Sequence, residues 1–263
     1  MIRLCFHLLS QDDARIAFSG IALRAAFLEM VRNQNEPLGA WFHSGEGTRP
    51  YSILPLEFDR RFGTTLEAGE EYLFEVVLFD TTGLNEVIRD LVVAERDSVR
   101  LYKYELPVLQ VEVRQIDPTI QMQKWIQDTA DTTVIHMSFL TPTQLSHFGT
   151  DRAYLFPSPD KVFSSLMRVW NTMESDFRSK HISEYRTWIE RNVYVSRHKV
   201  RTYQLRFGQS RSLLGFLGDV TFSLEERRGE MADFTKGLAQ FAELCNVGKN
   251  RTAGLGLVRA TFG

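Results

Sequence analysis

Apolar positions along the chain fall into short extended runs and helical spacings that alternate. Ile2 to Leu9 is apolar-rich and strand-like, with His7 interrupting it. Ile21, Arg24, Leu28 and Val31, with Ala25, Phe27 and Met30 added on the apolar side, predict a helix that Pro37 follows. Arg49 to Leu56 is an extended piece hemmed by two prolines, an edge strand or a loop. Glu71 to Phe79 reads as a strand from its Tyr, Phe and Val content. Leu84, Val87, Ile88, Leu91 and Val92 give a second amphipathic helix, and Val99 to Lys103 and Leu106 to Val113 return as strands. The order is β-α-β-β-α-β, the ferredoxin-like arrangement.

The second half repeats that order. Thr133 to Leu140 is strand-like, and Ser158-Pro159-Asp160 opens a helix carried by Val162, Phe163, Leu166, Val169, Trp170 and Met173. Asn192 to Phe207 and Ser212 to Leu224 form two long strands joined by Gly208-Gln-Ser-Arg. Met231, Phe234, Leu238, Phe241 and Cys245 share a helical face, and a glycine-rich stretch then leads to a closing strand. The fold class expected is α+β, with two tandem ferredoxin-like domains at 1–116 and 132–263. The link at 117–131 holds Pro118 and also Trp125, which argues for a packed rather than a free connection.

Composition changes this picture little. The 263 residues are 43% hydrophobic and 24% charged, as in an ordinary globular protein. No apolar run approaches membrane-spanning length, and Met1 to Leu9 lacks the pattern of a signal peptide, so no membrane partner is expected. Cys5 and Cys245 have no metal-ligand spacing; a reduced cytoplasmic protein with no metal site and no cofactor is the expectation.

Charge distribution says more than net charge, which is only −2. From Arg191 through Gly218 there is no Asp or Glu, while Arg197, Lys199, Arg201 and Arg206 all fall there. The tail from Asn246 is also acid-free and holds Gly248, Lys249, Asn250, Arg251, Gly254, Gly256 and Arg259. Together they suit nucleic-acid phosphate. The competing reading is a solvated strand face answered by Glu225, Glu226 and Glu230. The glycines themselves admit two roles. They can present backbone N–H groups to an anion, or they can simply allow a tight turn. The stretch is not a P-loop, because Lys249 precedes the later glycines and no Ser or Thr follows it directly.

His43 lies in Trp41-Phe-His-Ser-Gly-Glu-Gly-Thr-Arg49, which reads as a glycine-containing loop after the first helix. A histidine suits proton transfer at a phosphodiester, and Arg49 can neutralise charge on the phosphate oxygens. No Ser-His-Asp or Cys-His order is present, and the acids lack the clustering a two-metal nuclease needs.

These residues resemble the CRISPR-associated endoribonuclease family that cuts repeat RNA into guide RNAs, within the RAMP superfamily. The family's glycine signature is similar to Asn246-Val-Gly248-Lys-Asn-Arg-Thr-Ala-Gly254-Leu-Gly256, with Asn246 where the first glycine stands. His43, Arg49 and Tyr51-Ser52 match the place of its catalytic histidine, basic residue and following strand. Phe139 to Thr143 with Phe156-Pro-Ser-Pro159, and Leu214 to Val220, resemble the start of its second domain and the lead-in to the signature. Some members carry a tyrosine on the first helix where Phe27 and Leu28 stand here.

The resemblance implies a tandem ferredoxin-like fold and metal-free cleavage by the RNA's own 2′-OH, leaving a 5′-hydroxyl and a 2′,3′-cyclic phosphate. It implies His43 and Arg49 as catalytic residues. Arg197, Lys199, Arg201, Gly248, Lys249, Asn250, Arg251, Gly254 and Gly256 are then the expected RNA contacts. CRISPR repeat RNA is the implied partner; subunits of a CRISPR effector complex and a second copy of the chain are further candidates. The alternative is a non-catalytic RNA-holding RAMP subunit. A nucleotide-cyclase-type domain would want paired metal-binding aspartates, and Asp80 and Asp97 are not spaced for it.

Overall fold

Strand β1 (Ile2–Leu9) is the middle of the first sheet, and its sequence shows why: Leu4, Phe6 and Leu8 are buried while Arg3 and His7 alternate with them on the other face. In this computed structural model residues 1–44, 47–79, 88–89, 98–147, 150, 152–173, 182–207 and 211–263 are described. They form two compact units, Met1–Ile116 with Thr252–Gly254, and Asp117–Arg251 with Leu255–Gly263.

In the first unit β2 (Ala14–Ile16) precedes helices α1 (Ser19–Gln34) and α2 (Glu36–Ser44). Then come β3 (Tyr51–Leu54), β4 (Thr64–Leu66), β5 (Glu71–Leu78), β6 (Ser98–Leu101) and β7 (Tyr104–Gln115). The sheet runs β3-β5-β1-β7-β6, and β2 pairs with β4 as a small ribbon. The order places the first strand between the third and the last, as a ferredoxin-like unit requires. Phe6 stacks on Phe74 at 4.6 Å, and Leu23, Phe27, Met30 and Val31 of α1 join the same core. Each such fully buried side chain contributes roughly 1.5–3 kcal/mol. His7 does not break the strand; it faces outward between Glu71 and Glu112, 3.4 Å from the latter. The helix expected over Leu84 to Val92 lies outside the described residues, save the helical pair Ile88 and Arg89, as do Asp80 and Asp97.

The second unit opens with α3 (Pro118–Asp128), so the stretch 117–131, read from the sequence as a link, is largely a folded helix of this unit. Asp117 caps it, its Oδ1 accepting from Thr119 N at 2.8 Å and Ile120 N at 3.0 Å. Trp125 packs 6.4 Å from both Trp170 and Phe241. After it come β8 (Val134–Thr143), β9 (Leu145–Ser146), β10 (Ala153–Tyr154), α4 (Pro159–Trp170) and α5 (Ile182–Asn192). The strands β11 (Val193–Phe207) and β12 (Arg211–Leu224), helix α6 (Glu230–Cys245) and β13 (Val258–Phe262) complete it. The sheet order β11-β12-β8-β13 repeats that of the first unit. The residues joining β11 to β12, Gly208 to Ser210, lie outside the described set.

Candidate active site and nucleic-acid interface

His43 stands in the last turn of α2, not in a loop as its glycine neighbours suggested. Pro37, expected as a terminator, occupies the first turn of this second helix, where its missing N–H costs nothing. The His43 side chain is exposed, but its neighbour Phe42 is buried. The Phe42 ring packs 5.1 Å from Tyr51 and 5.9 Å from Phe27, and Phe27 lies 5.3 Å from Tyr51. Three rings therefore fix the end of α2 beside the start of β3.

The Tyr51 side chain is fully buried and its hydroxyl faces Arg24, Arg49 and Thr252. Burial raises the phenol's pKa, while the Arg24 and Arg49 cations and the Thr252 hydroxyl pull the other way. The phenolic oxygen and Arg24 Nε are both buried, and neither has a hydrogen-bond partner of good geometry. Arg24 as a whole is half-buried, on α1, three residues before Phe27 and so on the same helix face. No carboxylate among the described residues pairs with Arg24. Two guanidinium groups beside one hydroxyl form a donor-rich cluster of the kind that suits an oxyanion.

In the second unit, Arg197, Lys199 and Arg201 occupy alternate, exposed positions of the edge strand β11. They face away from the core, spaced about 7 Å apart along the strand. In register, Lys199 meets Asp219, Asp219 meets Ser138 and Ser138 meets Arg259, one polar row across all four strands. Asp219 accepts from Ser138 Oγ at 2.7 Å rather than pairing with Lys199. A parallel row runs Arg197, Thr221, His136, Thr261, with His136 Nδ1 3.0 Å from Thr221 Oγ1. Among the described residues none of Arg197, Lys199 and Arg201 forms an ion pair, and Glu225, Glu226 and Glu230 do not answer them. The sheet face is basic at both edges.

The glycine tail is a closed knot. Val247 N donates to Gly256 O at 2.8 Å, Gly248 N to Ser165 Oγ at 3.1 Å and Lys249 N to Gln144 O at 2.7 Å. A Cβ on Gly256 (φ +73) would sit 1.9 Å from Val247 O, and one on Gly248 (φ +85) would sit 2.4 Å from Gln144 O. These N–H groups are engaged inside the protein, so the expected backbone cradle does not form at Val247, Gly248 and Lys249. Arg251 is buried with its Nη1 on the carbonyl of Cys245 at 3.2 Å, which removes it from the surface clamp expected of it. Gly254 is also buried. Lys249 is half-buried and Asn250 exposed.

Residues 137–258 match the family model of the CRISPR-associated endoribonuclease Cas6. That stretch holds the basic strand and the glycine knot. A Cas6 product complex is similar at TM-score 0.74 and 18% identity, covering 99% of this chain and 99% of that one. A second Cas6 product complex gives 0.71 at 21% identity, covering 99% and 100%. Thermus thermophilus Cas6 gives 0.66 at 17%, covering 99% and 98%. No curated protein matches the chain. The chain thus has the tandem ferredoxin-like fold of the Cas6 structures.

Within this Cas6 fold the first unit gathers Arg49, Tyr51 and Arg24 and sets His43 at the neighbouring helix end, while the second unit lines Arg197, Lys199 and Arg201 along one strand. Arg24 and Tyr51 were not among the residues read from sequence as chemical. Their one signal was spacing, since Arg24 shares a helix face with apolar Phe27 and Tyr51 follows Arg49 by two. Among the described residues no cluster of His, Cys, Asp and Glu could hold a metal, and no helix is long and apolar enough to cross a membrane.

Proposed function

We propose that this chain is an endoribonuclease that cuts CRISPR repeat RNA without a metal. The observation that carries the reading is His43, exposed at the end of α2, one residue from the ring that packs on Tyr51, whose hydroxyl Arg49 approaches. The match of residues 137–258 to the Cas6 endoribonuclease family supports the substrate class.

RNA supplies its own nucleophile, so the protein needs only to hold, orient and move protons. The 2′-oxygen attacks phosphorus, the bond to the 5′-oxygen breaks, and a 2′,3′-cyclic phosphate and a 5′-hydroxyl result. One proton leaves the 2′-OH and one arrives at the 5′-oxygen. His43 carries one of these transfers, an effect of about 10²–10⁴-fold. Arg49 holds the phosphate and the charge that develops on it. Alignment of the 2′-oxygen, phosphorus and leaving oxygen supplies much of the rest. Arg197, Lys199 and Arg201 hold phosphates away from the cut, which positions the RNA without reading its bases. Lys249 and Asn250 remain candidates for contact beside them, whereas Gly248, Gly254, Gly256 and Arg251 act through the fold.

The test is a gel assay of purified protein with repeat RNA in EDTA, beside a substrate carrying one 2′-deoxy nucleotide at the mapped cut. Cleavage in EDTA that the single missing hydroxyl blocks is the expected result. Binding without cleavage would move the chain to the RNA-holding subunits and end the catalytic reading.

A further inference from the structure

Phe27, Phe42 and Tyr51 close a core in which a phenylalanine would pack as well as Tyr51 does, so packing does not account for the hydroxyl. Its polar surroundings are Arg24, Arg49 and Thr252. Arg24 lies between Leu23 and Phe27, which are 0% and 1% exposed, and covering a guanidinium nitrogen without a partner is costly. A charged group kept there at such cost, still partly open to solvent, leaves a donor directed at whatever enters the pocket. The incoming group is then an anion, because the cluster offers donors and no carboxylate among the described residues pairs with Arg24.

We propose that Arg24 is a second phosphate-holding catalytic residue, acting with Arg49 on the non-bridging oxygens of the scissile phosphate, and that Tyr51 is the positioning residue that orients it. The assignment rests on the cleavage reading above. In the ground state the phosphodiester carries one negative charge shared by two oxygens; as the 2′-oxygen adds, charge builds on both. Two guanidiniums from different elements, α1 and the approach to β3, can each take one oxygen, whereas Arg49 alone can answer only part of that charge. Thr252 lies against the same hydroxyl and belongs to the first unit, so three separate stretches of chain fix the pocket.

The experiment measures single-turnover cleavage at saturating protein for wild type, Arg24→Gln, Arg24→Lys, Tyr51→Phe and His43→Ala. Repeat affinity is measured in parallel on the 2′-deoxy RNA. Arg24→Gln should slow cleavage by about 10²–10³-fold, with affinity altered by less than about three-fold, because the interaction is made in the transition state. Arg24→Lys keeps the charge but loses the fork, and should recover part of the rate while staying at least about ten-fold slow. Tyr51→Phe keeps the ring and should slow cleavage by about ten-fold at unchanged affinity. Wild-type rates in folded Arg24→Gln overturn the assignment; should that variant not fold, a wild-type rate in Arg24→Lys overturns it equally. If wild type cuts and only His43→Ala fails, Arg24 is structural and the cleavage reading survives. If wild type itself does not cut, the cleavage reading falls and this assignment with it.

Discussion

The guanidinium of Arg251 donates to the carbonyl of Cys245 at 3.2 Å, so a residue of the glycine tail closes the helix that precedes it. The last carbonyls of a helix lack intrahelical partners and sit at its negative end, where a cation is favourable. Asn246 completes the closure with φ +60, its amide nitrogen on Ala242 O at 3.0 Å and its Nδ2 on Arg251 O at 3.1 Å. Arg251→Ala should therefore lower stability by about 2 kcal/mol, the cost of leaving buried acceptors unmet. Urea unfolding checks the loss, and RNA affinity per folded molecule should hold. A ten-fold affinity loss at unchanged stability would restore Arg251 to the phosphate contacts.

Gly256→Ala tests the knot itself. The new methyl would meet Val247 O at 1.9 Å with φ at +73, so both contact and backbone are wrong for any side chain. The carbonyl it strikes also accepts no rearrangement cheaply, since Val247 N is bonded back to Gly256 O at 2.8 Å. A loss of at least about 3 kcal/mol is expected from strain and clash together. Near-wild-type stability in denaturant would show that the tail has another arrangement.

The succession of strands along the chain was legible because alternation survives in β1, β8 and β12. Helix α2 was not, because Pro37 reads as a stop after α1 and a start before α2 with equal ease. Helix α5 escaped because polar residues outnumber the two it buries, Tyr185 and Ile189. At the site the lysines and arginines misled in one direction. Sequence cannot distinguish a cation in water, as Arg201 is, from one turned back onto its own backbone, as Arg251 is. Nor does it reveal a cation such as Arg24 that α1 folds against a phenol. His43 and Arg49 stand out in the sequence because a titratable and a basic side chain flank glycines; the phenol beside Arg49 is visible only once β3 is folded.

The thiols give an alkaline test. Cys5 and Cys245 are buried, and burial pushes the Cys245 thiol up to about 12. In the unfolded chain a thiol ionises near about 8.5. The folded state therefore holds the proton that the unfolded state releases, and stability falls as pH rises from about 9 toward 12. Below that window the term is fully present. Cys245→Ala should flatten the fall, measured by urea midpoints from pH 8 to 10.5. At pH 8 a disulfide reagent should find no reactive thiol in the native protein and two in denaturant. A fast native reaction at Cys245 would show that α6 opens at its end.

Reversing Arg197 and Arg201 to glutamate tests the basic strand. Both side chains are exposed, in alternate positions on β11, and unpaired among the described residues, so the fold has no use for their charge. Their register partners are Thr221 and Leu217, neither an acid, so reversal creates no new carboxylate pair there. Stability should stay within about 0.5 kcal/mol, as for other surface changes. Repeat-RNA binding should weaken, and the slope of log affinity against log salt should flatten by about 1.4, the value for two phosphates of a single strand that the protein no longer neutralises. Lys199→Glu should cost more stability than either arginine reversal, because Asp219 stands opposite it in register and two acids would then face each other. Cleavage at saturating protein should keep its wild-type rate, since these residues are proposed to hold phosphates away from the cut. An unchanged salt slope would mean that the strand meets solvent or protein instead of RNA.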